Sequence, residues 1–182
     1  MENPWMTKKV KEIYQNDWIK VEEHDVLDPS GKDGIYGIVH LKSIAIAILP
    51  LDEDDHTWLV GQYRYPLGRY SWELPEGGGD LDVDPLKSAA RELKEETGIV
   101  AKKWKKILEM DLSNSVTDEH SISYVARDLS FFEPEPEDTE VLRVIRIPFE
   151  EAVKKVIQGE ITDALSVGTL LQAQILKMKG LL

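Results

Sequence analysis

The sequence of 182 residues contains no cysteine. A disulfide scaffold, a zinc–thiolate site and a cysteine nucleophile are therefore excluded. Positive charge is also scarce, because 22 lysines and arginines stand against 34 aspartates and glutamates, for a net charge of −12. A chain this acidic has no electrostatic footprint for nucleic acid or for an anionic membrane surface, so we expect neither as a partner.

Long apolar runs are missing as well. The longest, 44–49, is the length of a strand and far short of the roughly 18 apolar residues that span a bilayer. Residues 1–11 are polar and lack the apolar core of a signal peptide. We therefore expect a soluble, cytoplasmic protein. Its hydrophobic content of 42% suffices for the core of one domain with a small appendage.

Apolar–polar alternation predicts strands in the first part of the chain and a mixture of strands and helices after it. The predicted strands are 10–14, 18–26, 35–41, 44–49, 58–64, 104–112, 120–127 and 141–147. The segment 65–84 is rich in proline and glycine and is predicted to be a loop. A β-strand extension at 1–43 and a mixed α/β domain at 44–182 follow from this order.

Three helices are predicted in the second part. The first is the clearest, because Asp84 can cap it, Pro85 suits its first turn and Gly98 suits its end. The other two cover 149–158 and 163–178.

An acidic face on the first helix is the centre of the functional argument. Glu92, Glu95 and Glu96 lie three and four residues apart, so they share one patch of the helix. A divalent cation would convert their mutual repulsion into binding energy, since Mg²⁺ prefers carboxylate, water and phosphate oxygens. The glycine triplet 77–79 upstream would let the backbone approach a bound group closely. A solvated acidic helix face is the alternative interpretation.

The run 77–99 resembles the Nudix box, in which a glycine precedes an Arg-Glu-U-x-Glu-Glu-x-Gly-U sequence, U being aliphatic. The positions in register are Gly77, Arg91, Glu92, Leu93, Glu95, Glu96, Gly98 and Ile99. One position departs, because Val83 stands where the family has its first glutamate. The resemblance implies an α/β (α+β) fold, namely a Nudix αβα sandwich with a mixed central sheet and an N-terminal antiparallel β extension.

Three further segments, 61–64, 72–77 and 159–164, are similar to the ADP-ribose and nucleoside-diphosphate-sugar pyrophosphatase branch of that family. This implies Mg²⁺-dependent hydrolysis, with Mn²⁺ as a substitute, of the pyrophosphate bond of a nucleotide sugar such as ADP-ribose or GDP-mannose. The products would be a nucleoside monophosphate and a sugar phosphate. The branch's proline-bearing loop is not evident at 113–118, which leaves room for sugars other than ADP-ribose.

The resemblance also implies roles for individual residues. The metal ligands would be the carboxylates of Glu92, Glu95, Glu96 and Glu140 and the backbone carbonyl of Glu76. The catalytic residues would be Glu140, Glu95 and Arg91, with Arg91 orienting the glutamates. The substrate-binding residues would be Arg64, Glu73 and Gly77. Asp138, Glu137 and the loop 118–120 compete with Glu140 for the role of general base, and an ion pair at the surface is the alternative role for Arg64.

Other interpretations stay open at this point. The enzyme could act on dinucleoside polyphosphates or nucleoside triphosphates, or the fold could be a nucleotide-sugar sensor without catalysis. The N-terminal strands, with Trp5 and Trp18, are expected to be too exposed for a small monomer, which predicts a homodimer through them. The four histidines are scattered, and their spacing does not indicate a metal site.

Overall fold

The computed structural model describes residues 2–135 and 141–182. In this part of the chain the strands are β1 Met6–Gln15, β2 Ile19–Leu27, β3 Asp33–Leu41, β4 Ser43–Pro50, β5 His56–Arg64, β6 Arg69–Glu73, β7 Glu76–Asp80, β8 Ile99–Leu112, β9 Glu119–Phe131 and β10 Arg143–Pro148. The helices are α1 Pro85–Thr97, α2 Phe149–Ile157 and α3 Ala164–Met178, and a single 3₁₀ turn covers Tyr65–Leu67.

The N-terminal strands form an antiparallel sheet in the order β1-β2-β3. The β1–β2 turn is held by Asn16, whose side-chain oxygen accepts hydrogen bonds from the backbone amides of Trp18 at 2.9 Å and Ile19 at 2.8 Å. Every residue of β1 is exposed. The expected β extension is therefore present, and its outer strand has little apolar cover.

The central sheet has the order β7-β4-β9-β8 and is mixed, because β4 and β9 run parallel while the other pairs are antiparallel. Strand β4 is the buried centre of the fold, as its continuous apolar sequence predicts. Its successive side chains point to opposite faces, so Ile46 and Ile48 pack in the cluster that contains α1 residues. Leu49 packs in a second cluster with residues of α2 and α3. The expected αβα layering is confirmed.

A third sheet, in the order β10-β5-β6, completes the fold. The prediction of a loop over 65–84 is wrong, since this segment contains β6, β7 and the 3₁₀ turn. Its glycines pair through their backbones with β4, with Gly77 opposite Ile46 and Gly79 opposite Ile44. The local composition favours a loop here, but backbone pairing with β4 outweighs this local preference and makes the segment a strand.

Helix α1 forms for the reasons read from its sequence. The Asp84 side chain accepts a hydrogen bond from the Leu86 amide at 3.0 Å, and Pro85 occupies the first turn. Gly98 ends the helix with a φ of 69°, a left-handed conformation that favours glycine. In residues 2–135 and 141–182, no helix is both long enough and apolar enough to cross a membrane.

Candidate active site

Helix α1 brings its acidic face onto strand β7. Glu96 is only 3% exposed, and its carboxylate accepts a hydrogen bond from the Glu76 amide at 3.1 Å. The Glu92 carboxylate lies directly over Gly77, where a β-carbon would overlap it; even the farther carboxylate oxygen would be 2.5 Å from that carbon. Gly77 is thus required for close approach, and a fully solvated acidic face is excluded for these two glutamates.

Arg91 connects the acidic face to the glycine strand. Its guanidinium donates to Glu92 at 2.6 Å, to Glu95 at 2.7 Å and to the backbone carbonyl of Gly78 at 2.9 Å. One cation therefore fixes the orientation of two carboxylates. This geometry agrees with the orienting role expected for Arg91.

Arg64 and Glu73 form an internal ion pair. The Nε atom of Arg64 lies 3.1 and 3.0 Å from the two Glu73 oxygens, and its terminal nitrogen donates to Glu73 at 2.6 Å and to Glu76 at 2.7 Å. Glu73 is 2% exposed. The structure therefore joins these two expected substrate-binding residues to each other, instead of leaving Arg64 in a surface ion pair.

The side chain of Glu76 is a group at the site that the sequence does not reveal, since the family resemblance implies a role only for its backbone carbonyl. One of its oxygens is buried without a hydrogen-bond partner. Burial, followed by the nearby carboxylates of Asp163 and Glu73, raises the pKa of Glu76 well above its ordinary value. Asp163 immediately precedes α3 and caps it, because its side chain accepts a hydrogen bond from the Ser166 amide at 2.7 Å. Sequence spacing gives no sign of this proximity, because α3 is distant along the chain.

Replacing Glu76 by glutamine is expected to flatten the pH dependence of stability in metal-free protein. Because the folded-state pKa of Glu76 is raised above 4.5, its stabilising contribution is complete below that pH and is lost as pH rises through the folded pKa. The amide does not titrate, so the unfolding free energy of the variant should fall less than that of the wild type as pH rises through the folded-state pKa of Glu76. Urea denaturation with EDTA measures this. An equal pH dependence of the unfolding free energy in both proteins would contradict this prediction. The control is Glu53→Gln, which makes the same change at an exposed position and should behave as the wild type.

A cavity of about 610 Å³ opens beside these groups. It is lined by residues of the glycine strand and α1, by Lys42, Gln62 and Arg64, and by Asp17 and Trp18 of the turn between β1 and β2. A second cavity of about 430 Å³ shares Arg64, Glu76 and Glu119 with it. The N-terminal extension therefore contributes directly to the walls of the site.

The groups expected to supply a general base divide into two sets. Glu140, Asp138 and Glu137 lie outside the described residues. Among residues 118–120, Asp118 is hydrogen-bonded to His40, and His120 is hydrogen-bonded to Asp111. Glu119 instead lines both cavities. Burial, and then Asp163, raises the pKa of Glu119. Glu119 is thus the residue of 118–120 that faces the cavity, and the expected loop is wrong for Glu119 and His120, which begin β9.

The donor set of α1 fits a hard cation, because Glu92, Glu95 and Glu96 offer only oxygen atoms. Arg91 links the carboxylates of Glu92 and Glu95, and the carboxylate of Glu96 lies against the Glu76 amide. Within the described ranges, the groups that bring three potential ligand atoms within 4.8 Å of one another lie elsewhere. These are Glu73, Glu76 and Asp163, and Glu22, His24 and His40. The expectation that the histidines form no cluster is therefore wrong for His24 and His40, which meet across the β2–β3 pair.

Comparison with known proteins gives two matching family models. The NUDIX domain model matches residues 41–165, and a model described as the nucleoside diphosphate sugar hydrolase N-terminal domain matches residues 5–39. Together the two models cover both the extension and most of the mixed α/β domain.

Curated relatives and a solved structure are also similar. The ADP-ribose pyrophosphatase of Bacillus subtilis is 33% identical over 156 residues, which cover 85% of this chain and 84% of that protein. The ADP-ribose pyrophosphatase of Mycobacterium tuberculosis is 34% identical over 130 residues, which cover 70% of this chain but only 63% of that protein. The crystal structure of an ADP compounds hydrolase superposes with a TM-score of 0.86 over 98% of this chain and 97% of that one, at 23% identity. This last likeness supports the fold.

Proposed function

Because the chain belongs to the Nudix hydrolase family, we propose that it hydrolyses the pyrophosphate bond of nucleoside diphosphate sugars, ADP-ribose and GDP-mannose among them. The products are a nucleoside monophosphate and a sugar phosphate. The observation that carries the proposal is the arrangement of Arg91, Glu92 and Glu95 over Gly77 at the wall of a cavity of about 610 Å³. The match of residues 5–39 to the nucleoside diphosphate sugar hydrolase N-terminal domain supports this choice of substrate.

The activity depends on Mg²⁺, for which Mn²⁺ can substitute, held by Glu92, Glu95, Glu96 and the backbone carbonyl of Glu76. When bound, the metal neutralises the diphosphate and lowers the pKa of an attacking water. The protein holds the carboxylates in place beforehand, since Arg91 fixes Glu92 and Glu95. Such preorganisation removes a reorganisation cost from the reaction.

Cations and an aromatic ring at the cavity match the remaining parts of the substrate. Lys42, Arg64 and Arg91 line it and can attract the diphosphate. Trp18, which is 72% exposed, also lines it and offers a flat apolar surface for a base. Glu73 acts through Arg64, whose guanidinium it orients from behind.

The general base is Glu140 or Glu119. Support for Glu119 comes from its position at the cavity and from its raised pKa. Comparing the pH profiles of Glu119→Gln and Glu140→Gln separates them, because only loss of the true base removes the acidic limb of the profile.

A substrate panel tests the proposal. The protein is incubated with Mg²⁺ and ADP-ribose, GDP-mannose, UDP-glucose, diadenosine polyphosphates or nucleoside triphosphates, and phosphatase-sensitive products are assayed. Release of monophosphate from the sugar conjugates supports hydrolysis of nucleoside diphosphate sugars. Turnover confined to diadenosine polyphosphates or nucleoside triphosphates favours a Nudix hydrolase of those substrates. Binding without turnover identifies a nucleotide-sugar sensor.

A homodimer through the N-terminal sheet is proposed as well. The exposed apolar side chains of this sheet support it: Met6, Val10, Ile13, Tyr14, Trp18 and Ile35. Light scattering should give twice the chain mass of 20.7 kDa. Val10→Asp combined with Ile35→Asp should give the monomer, while Ile157→Asp, at a more exposed position on α2, should stay dimeric. A monomeric wild-type protein would refute the dimer.

A further inference from the structure

Two histidines and a glutamate converge on one face of the N-terminal sheet. Glu22 and His24 alternate along β2, and His40 lies diagonally across from Glu22 on β3. One Glu22 oxygen, Oε2, is 2.9 Å from Nε2 of His24 and 3.2 Å from Nε2 of His40. All three side chains are mostly buried, with 15% to 28% of each exposed.

The second nitrogen of His40 is fixed from outside the cluster. Its Nδ1 lies 2.6 Å from Asp118, and the other Asp118 oxygen accepts the Leu41 amide at 2.9 Å. A carboxylate on one imidazole nitrogen sets the tautomer and presents the other nitrogen as a ligand, which is the usual arrangement around metal-bound histidines. The ring of His40 is thus oriented toward Glu22 without any ion.

We propose that Glu22, His24 and His40 bind a transition-metal ion, Zn²⁺ by preference, with Asp118 as the residue that positions His40. Two imidazoles and a carboxylate, with water in the fourth position, form a common tetrahedral zinc set. Ligand distances of about 2.1 Å place tetrahedral ligand atoms roughly 3.4 Å apart. This is close to the 2.9 and 3.2 Å that separate the Glu22 oxygen from the two histidine nitrogens. Imidazole ligands select Zn²⁺ over Mg²⁺, so this site differs in kind from the all-oxygen set on α1.

The Glu22 carboxylate gives the cluster a negative charge that would attract a cation. Lys20 pairs with the other Glu22 oxygen, Oε1, at 2.8 Å and leaves Oε2 facing the two rings. Hydrogen bonds from Lys20 and His24 lower the pKa of Glu22 to about 2, so it is a carboxylate at neutral pH. Metal binding needs the deprotonated nitrogen of each imidazole, so a bound ion would take the place of any proton between the rings and Glu22.

The position of the site gives it a structural consequence. His40 belongs to the extension, whereas Asp118 immediately precedes β9 of the central sheet. The two regions also join where the Val39 amide donates to the Val116 carbonyl at 2.9 Å. Metal binding at this junction should therefore stabilise the N-terminal sheet against the domain.

Cobalt spectroscopy and zinc calorimetry test the proposal, both with excess Mg²⁺ present to occupy the α1 carboxylates. The wild type should take up one Zn²⁺, and Co²⁺ in its place should give the intense visible bands of tetrahedral nitrogen–oxygen coordination. His24→Ala and His40→Ala should lose both signals. His56→Ala and His120→Ala, which change the two histidines outside the cluster, should keep both.

Asp118→Asn separates a positioning role from a merely structural one. It should weaken zinc affinity about 10- to 100-fold while the stoichiometry stays at one. Unchanged zinc affinity in folded His24→Ala or His40→Ala protein, or no tetrahedral cobalt spectrum in the wild type, would overturn the proposal. Circular dichroism checks the fold, and His24→Gln serves if the alanine variant unfolds. Because these readouts do not involve hydrolysis, they are independent of the proposed function.

Discussion

Replacing Glu96 by glutamine should lower the rate of hydrolysis about a thousandfold while leaving the fold intact. Loss of one charged ligand from the proposed metal site would remove several kcal/mol of transition-state stabilisation, and about 4 kcal/mol corresponds to this factor. The side-chain oxygen of glutamine can still accept the Glu76 amide, which now lies 3.1 Å from the carboxylate, so the junction of α1 and β7 should survive. Steady-state kinetics at saturating Mg²⁺, together with thermal denaturation, measures both effects.

The control for this experiment is Glu150→Gln. Glu150 lies at the start of α2 with its side chain 63% exposed, so the same chemical change occurs there without a role in the site. Its activity should match that of the wild type. Near-normal turnover in the Glu96 variant would remove this residue from the metal site.

Replacing Gly77 by alanine should reduce activity about a hundredfold. The new methyl group would occupy the position of the Glu92 carboxylate, so that side chain or the β7 backbone must shift. Displacing a catalytic group by about 1 Å is enough for a loss of this size. The variant should also need more Mg²⁺ for half-maximal activity, because Glu92 would leave its place beside Glu95. Initial rates across a Mg²⁺ titration measure both changes.

The neighbouring Gly78→Ala is the matched control. Its methyl group would meet nothing closer than the Ser43 hydroxyl at 3.4 Å, which is an ordinary contact. The backbone carbonyl that accepts from Arg91 is unchanged by this substitution. Equal losses in the two alanine variants would show that general stiffening of β7, and not overlap with Glu92, causes the effect.

Features that depend on residues close together in the chain were predicted well. Helix α1 has the expected cap at Asp84 and the expected end at Gly98, because capping and termination act over one helical turn. The spacing of Glu92, Glu95 and Glu96 placed them on one face for the same reason. The prediction of a loop at the glycine segment is wrong because its pairing depends on β4, whose residues come well before it in the chain.

Sequence alone thus determined the acidic helix, its glycine partner and the family that they indicate. Tertiary structure alone decided that Glu76 is buried beside Asp163, and that His24 and His40 share one carboxylate. The physical reason is that hydrogen-bond geometry within a helix repeats every few residues and can be read from spacing. Contacts between strands and between layers depend on register and on packing against the core, and residue spacing does not encode these.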